Sequence, residues 1–181
     1  MKLGIYLNAQ HPAGDDPARR FAETAEQVRL IRSLHFDSIW GGEHHVTPGF
    51  HYFPLLPLLQ RLAAEAEGMW VGTNLVLLPL HNPVGLAEVG AFLDVITGGR
   101  FLLGVGLGYR AEEFAVFGVS MAERVSRLVE GVEIIRRLAD LVATGQLAPH
   151  VSLERPWTEI AQVAQDLMAR RFPGKAVLTL G

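Results

Sequence analysis

Short apolar runs alternate with amphipathic segments along this chain, and that alternation restricts the fold more than any single motif does. Lys2–Asn8 reads as a strand. Asp15-Asp16-Pro17 opens a helix, with an acidic N-cap and a proline at the first helical position. Over residues 17–34, Phe21, Ala25, Val28, Ile31 and Leu34 recur at three- and four-residue spacing, which draws one buried stripe. His35–Trp40 returns to strand, and residues 54–66 are helical after Pro54. Met69–Pro79 is almost wholly apolar and reads as a strand covered on both faces. Asn82-Pro83 opens a helix to about Ile96, which Thr97-Gly98-Gly99 ends. Phe101–Gly106 is the next strand, and 121–143 a long helix with Val125, Leu128, Val132, Ile135 and Leu138 on one face. Strand and helix alternating in this way imply parallel strands joined by right-handed crossovers. A doubly wound sheet and a β/α barrel both satisfy the pattern.

With 181 residues, 49% of them hydrophobic, the chain can bury a sizeable core, and one domain with an appendage is expected. A net charge of −3 with both signs interspersed gives no basic stripe, so no nucleic-acid partner is expected. The absence of cysteine excludes disulfides, thiolate nucleophiles and cysteine-based zinc sites. The most apolar stretch, around 75–96, is interrupted by Pro79, His81, Asn82, Pro83, Glu88 and Asp94, so no membrane partner is expected. The chain enters a strand at once, without an apolar signal core, and the expected location is cytoplasmic.

The chemistry-bearing residues fall where the strands end. Ser38-Ile39-Trp40-Gly41-Gly42 runs into Glu43-His44-His45. A histidine there suits proton transfer near neutral pH. The alternative is a pair of loop histidines satisfied by backbone carbonyls. Adjacent histidines on a strand do not readily share one ion, so no metal ligands are assigned. Thr73-Asn74 places two polar residues in an apolar strand, either as a pocket wall or as a locally bonded bulge. Gly104-Val-Gly-Leu-Gly108 lets backbone approach a flat ligand closely, but lacks the spaced third glycine of a dinucleotide fingerprint. Both candidate architectures bind ligands at these strand ends.

Taken in order, KLGIYL, FDSIWGGEHH and VGTNLVLLPLHNPVGLAEVGAFLDVITGGRFLLGVGLGYRAEEFAVFGV resemble the bacterial-luciferase-like, flavin-dependent monooxygenases over residues 1–138. The resemblance implies an α/β fold that is a partial (β/α)8 TIM barrel of about four βα units with parallel strands. It implies reduced FMN as cofactor, dioxygen as co-substrate and a small organic substrate. His44 is then the catalytic residue. Glu43, Asn74, Leu75, Gly106 and Gly108 bind the cofactor, and the Asn74–Leu75 peptide bond is cis. Gly106 and Leu107 stand where luciferase itself has a cysteine and an arginine, so light emission is not implied; Arg110 is an electrostatic substitute.

Residues 139–181 are expected to form a separate tail. Gly145–Arg155 reads as loop, Trp157–Arg171 as helix, Pro173-Gly174 as a turn and Lys175–Leu180 as a closing strand. This helix–strand tail resembles the C-terminus of a medium-chain dehydrogenase/reductase of the quinone-oxidoreductase type. Three functions stand: an FMN-dependent monooxygenase, a non-catalytic fusion or remnant, and an NAD(P)H-dependent quinone reductase. The expected partners are a flavin reductase as the source of reduced FMN and a second copy of the chain, since an open parallel sheet leaves two unpaired edges.

Overall fold

Asp16 accepts a hydrogen bond from the Ala18 amide at 3.0 Å, and Pro17 follows it into α1 (Pro17–Ser33). The cap and the proline together fix where the first helix starts. The computed structural model describes residues 1–147, 151–173 and 175–180, in two compact units, Met1–Ala139 and Asp140–Gly181.

In the first unit β1 (Gly4–Tyr6) and β2 (Gln10–Pro12) precede α1, which is followed by β3 (Ser38–Gly41) and β4 (Phe50–Tyr52). Next come α2 (Leu55–Leu62), β5 (Trp70–Thr73), β6 (Val76–Leu77) and α3 (Pro83–Ile96). Then follow β7 (Phe101–Leu102), β8 (Val105–Gly106), α4 (Ala111–Val116) and α5 (Arg124–Ala143), the last running past the unit boundary. β1, β3, β5 and β7 form a parallel sheet in that order, with Ile5 opposite Ile39, Ile39 opposite Val71 and Val71 opposite Phe101. This is the partial β/α barrel that the family resemblance implied; the alternation alone left a doubly wound sheet open.

The core lies between sheet and helices. Ala25, Val28 and Ile31 of α1, Leu55, Leu58, Leu59 and Leu62 of α2, and Leu86 and Leu93 of α3 are buried with Ile39 and Val71. Each such leucine or valine adds about 1.5–3 kcal/mol by leaving water. Leu34 does not join the stripe: it is 60% exposed, because the helix ends at Ser33 and His35 turns with φ 58°. The strand therefore starts at Ser38 rather than at His35. Val125 of α5 is likewise exposed, while Leu128, Val132 and Ile135 pack on the core. Gly131 lets α5 approach Leu78, whose Cδ2 lies 3.0 Å from where a β-carbon would stand.

Two expected strands are interrupted. Met69–Pro79 divides into β5 and β6 around a cis Asn74–Leu75 bond, then enters a 3-10 turn at Leu78–Leu80. Phe101–Gly106 divides into β7 and β8. The two breaks match, so β6 pairs with β8 in parallel, Val76 opposite Val105 and Leu77 opposite Gly106. Thr73 Oγ1 joins them: it donates to the Gly104 carbonyl and accepts from the Gly104 amide, both at 2.8 Å. β2 and β4 add an antiparallel ribbon with His11 opposite His51, which lacked a sequence signal because each strand is only three residues long.

The second unit corrects the helix–strand tail. Residues 151–156, expected to be loop, form β9 (Val151–Pro156), which pairs in parallel with β10 (Lys175–Thr179). With α6 (Ile160–Met168) between them, the unit is strand–helix–strand. The signal was the alternation Val151, Ser152, Leu153, Glu154, which the flanking glycine and prolines masked. Residues 148–150 of the expected loop and Gly174 of the expected turn lie outside the described residues.

Candidate active site

β3 ends at Gly41, and the chain must turn through tight quarters. A β-carbon at Gly41 would stand 2.6 Å from Leu55 Cδ1, and one at Gly42 would strike the Tyr6 hydroxyl. Two glycines in a row let the turn pass. Beyond them Glu43, His44 and His45 diverge, and each side chain has a different environment.

Glu43 turns inward. Its carboxylate is 6% exposed and accepts from the Leu77 amide at 2.7 Å and from His81 Nε2 at 2.9 Å to both oxygens. His45 Nε2 lies 3.2 Å from Oε1. Burial pushes this carboxyl up, but His45, the bond and charge of His81 and the Leu77 amide outweigh it and hold it down at about 2. The Glu43 amide donates to the Leu75 carbonyl at 3.2 Å, so the turn is tied to the cis segment through both backbone and side chain.

His44 turns outward into a cleft of about 380 Å³, lined by His44 to Pro48 with Phe50 and Tyr52. Its side chain is 33% exposed, and Tyr52 packs edge-on to the ring at 5.6 Å between centroids. Its Nδ1 lies 3.1 Å from Glu113 Oε1. Glu113, on α4, is 1% exposed; the same oxygen accepts from the His45 amide at 2.8 Å. Arg110 Nη1 stands 3.5 Å from that oxygen and donates to the His45 carbonyl, while Nη2 donates to the Val46 carbonyl. A carboxylate on Nδ1 fixes the ring and favours a proton there, leaving Nε2 free toward the cleft. Burial raises the Tyr52 phenol to about 12, helped by neighbouring Tyr6 and by Glu113, so Tyr52 is a neutral wall beside His44.

The remaining sequence-chosen residues gather across the β6–β8 pair. Asn74 is exposed at the end of β5, and its amide donates to the Gly41 carbonyl at 2.6 Å. Leu75 lies against Leu77, Leu80 and Phe114. Gly106 is needed by that packing: a β-carbon there would stand 2.7 Å from both Leu75 methyls. Gly108 has φ +71°, which glycine adopts without cost, with Phe114 3.0 Å from a β-carbon site. Leu107 and Tyr109 between and after them are exposed.

Sequence reasoning gave no role to Glu113 or His81. Glu113 sits in the first turn of a helix that follows a strand end, a place where an acidic residue is usual for electrostatic reasons alone. His81 precedes the Asn82 cap and looks like part of a helix start. Neither could be joined to residues 38 to 69 positions away without the fold. Arg110 donates to the turn backbone and stands 3.5 Å from Glu113.

Comparison with known proteins agrees with this geometry. The family described as luciferase-like monooxygenase matches residues 1–162, beyond the position 138 at which the sequence resemblance was drawn. The 4-hydroxyprotoasukamycin monooxygenase of Streptomyces nodosus subsp. asukaensis is 31% identical over 175 residues, covering 96% of this chain and 45% of that protein. The F420-dependent glucose-6-phosphate dehydrogenase of Amycolatopsis mediterranei is 31% identical over 146 residues, 76% of this chain and 41% of the relative. Among solved structures, the monooxygenase RslO1 from Streptomyces bottropensis superposes with a TM-score of 0.71 at 33% identity, covering 76% of this chain and 43% of that one. The oxygenating constituent of 3,6-diketocamphane monooxygenase from Pseudomonas putida, solved with FMN, shares the fold at TM-score 0.67 and 22% identity, over 75% and 38% of the two chains. The chain thus spans less than half the length of these relatives. Its parallel sheet and the extent of the match agree: the chain belongs to the luciferase-like monooxygenase family.

Proposed function

We propose that this chain carries the proton-handling part of a reduced-FMN site, serving oxidation of a small organic substrate by dioxygen. The observation that carries the reading is the pair of His44 and Glu113: a half-exposed imidazole in a cleft, with its inner nitrogen 3.1 Å from a fully buried carboxylate. Tyr52 in the cleft and the residues by the β6–β8 pair, which lie outside the cleft lining, suit a flat ring. Gly106 and Gly108 present little more than backbone, Asn74 offers an exposed amide, and Tyr52 and Leu107 offer apolar surface. Reduced flavin, when bound, supplies the electrons and the reaction with oxygen. His44 moves a proton at Nε2; Glu113 holds the ring and balances the charge that the ring acquires. Glu43 and Arg110 keep the turn in place from behind.

Reduced FMN is supplied by a separate flavin reductase, a reading that rests on the family and on the missing nucleotide fingerprint. Two further proposals go with it. A cytoplasmic setting suits a chain without cysteine. A second copy suits the unpaired outer edges of β1 and β7 in the four-stranded sheet.

The test is a titration of the purified chain with FMN, oxidised and then anaerobically reduced, with a deazaflavin of the F420 class in parallel. Saturable binding in the micromolar range, about −8 kcal/mol, supports the reading. Preference for the deazaflavin would assign the site to hydride chemistry instead. Binding of NADPH without flavin would favour the quinone-reductase reading of the tail, and binding of none of the three would favour a non-catalytic remnant. A His44→Ala variant that retains flavin-dependent turnover would remove His44 from the mechanism.

A further inference from the structure

Behind the His44 cleft, and sharing His45 with its lining, a second group of side chains converges. One ligand-capable atom from each of Glu43, His45 and His81 lies within 4.8 Å of the other two. His81 is accounted for, since its Nε2 faces both Glu43 oxygens at hydrogen-bonding distance. His45 is not. Its Nε2 is shielded from solvent and, 3.2 Å from Glu43 Oε1, is close enough to stabilise that carboxylate, but it has no aligned hydrogen-bond partner among the described residues. A lone pair held against a carboxylate oxygen is repulsive, and a proton held there would be expected to align. A cation between the two atoms removes the conflict.

We propose that Glu43, His45 and His81 bind a divalent transition-metal ion of the zinc class. Two imidazoles and one carboxylate form a donor set suited to zinc, cobalt or iron rather than to calcium or magnesium. The spacing fits. Bonds of about 2.0–2.1 Å in a tetrahedron hold ligand atoms about 3.3 Å apart. Here the carboxylate-to-nitrogen separations are 2.9 Å and 3.2 Å. Outer support is present too: the Leu77 amide donates to Glu43 Oε2, and the His45 backbone is held by Glu113 and Arg110. His45 and His81 are 26% and 24% exposed, which leaves a path for an ion. The sequence argument against a metal concerned the neighbours His44 and His45; the fold separates those two and pairs His45 with His81 instead. The ion clamps the turn after β3 to the 3-10 turn after β6, and so steadies the loop that presents His44. His45 also belongs to the lining of the His44 cleft, but the proposal does not depend on the flavin reading.

The test is calorimetric titration of chelator-stripped protein with Zn²⁺ alone, followed by Co²⁺ as a spectroscopic probe. The expected result is one ion per chain at micromolar affinity or tighter, with visible Co²⁺ absorption of a nitrogen- and oxygen-ligated site. Affinity should fall at least about tenfold in His81→Gln and in His45→Gln. It should not change in His11→Gln, which alters the His11–His51 pair on the β2–β4 ribbon. The Co²⁺ spectrum reads the ligands directly, so a variant that folds poorly does not decide the matter. No saturable uptake by the unmutated chain at millimolar Zn²⁺ would overturn the proposal. So would loss of binding in His11→Gln with full retention in the other two.

Discussion

Glu113→Ala offers the sharpest test of how the cleft is built. The carboxylate is 1% exposed and its Oε1 serves three neighbours: the His45 amide at 2.8 Å, His44 Nδ1 at 3.1 Å and Arg110 at 3.5 Å. The amide bond is charge-assisted, and such bonds are worth about 1.5–3 kcal/mol. Removing the acceptor also leaves that N–H without a partner. Arg110 adds little, because its side chain is 21% exposed and keeps water. Its bonds to the His45 and Val46 carbonyls survive the change. The expected loss is about 3 kcal/mol for Glu113→Ala, and about 1 kcal/mol for Glu113→Gln, which keeps a neutral acceptor. Urea unfolding followed by circular dichroism measures both. The second readout is the His44 ring: a Gln amide can donate to Nδ1 where the carboxylate could only accept, so nitrogen NMR should show the tautomer shifted in Glu113→Gln. A Glu113→Ala loss below about 1 kcal/mol, or equal losses for the two variants, would refute the claim that this oxygen organises the turn.

Glu43 sets the acid limb of stability in chelator-treated protein. Its folded value of about 2 lies below the usual 4.5, so its contribution is complete above the higher value and is lost as pH falls toward the lower. That gap is worth about 3 kcal/mol, and Glu43→Gln should flatten the fall in stability across it, as chemical denaturation at stepped pH would show. Two glycine replacements should act in opposite directions. Gly85→Ala, in the exposed first turn of α3 with nothing near its new methyl, should gain about 0.5–1 kcal/mol. Gly104→Ala drives its methyl onto the Thr73 carbonyl, where backbone cannot yield, and should lose about 1–3 kcal/mol; equal melting temperatures for the pair would contradict this.

What could be read in advance follows the reach of each interaction. The Asp16 and Asn82 caps act over two or three residues, and both helices start where the residues say. The parallel order follows from the alternation, because each connection passes through a helix. Apolar strands were legible as apolar, and the polar Thr73-Asn74 pair allowed a bulge, but nothing local in Val71 to Leu78 shows that the ladder with Phe101–Gly106 breaks there and resumes at Val76; the cis bond was pointed to by the family resemblance alone. The same limit applies to the site. His44 could be picked out by its residue type and place. Its partner Glu113 and the Glu43–His81 contact are made by the fold, across tens of residues.

That distance has a kinetic side. The His44–Glu113 contact closes a loop of 69 positions, while the sheet register rests on neighbours about half as far apart. Closing longer loops costs more chain entropy, and contacts of long range form late. The dyad is therefore among the last features to assemble, and α4, only six residues long, has little of its own to hold it down. Amide exchange should open α4 and the turn after β3 well before the α1–α2 core, so gentle warming would disarm the cleft while most of the protein remains folded.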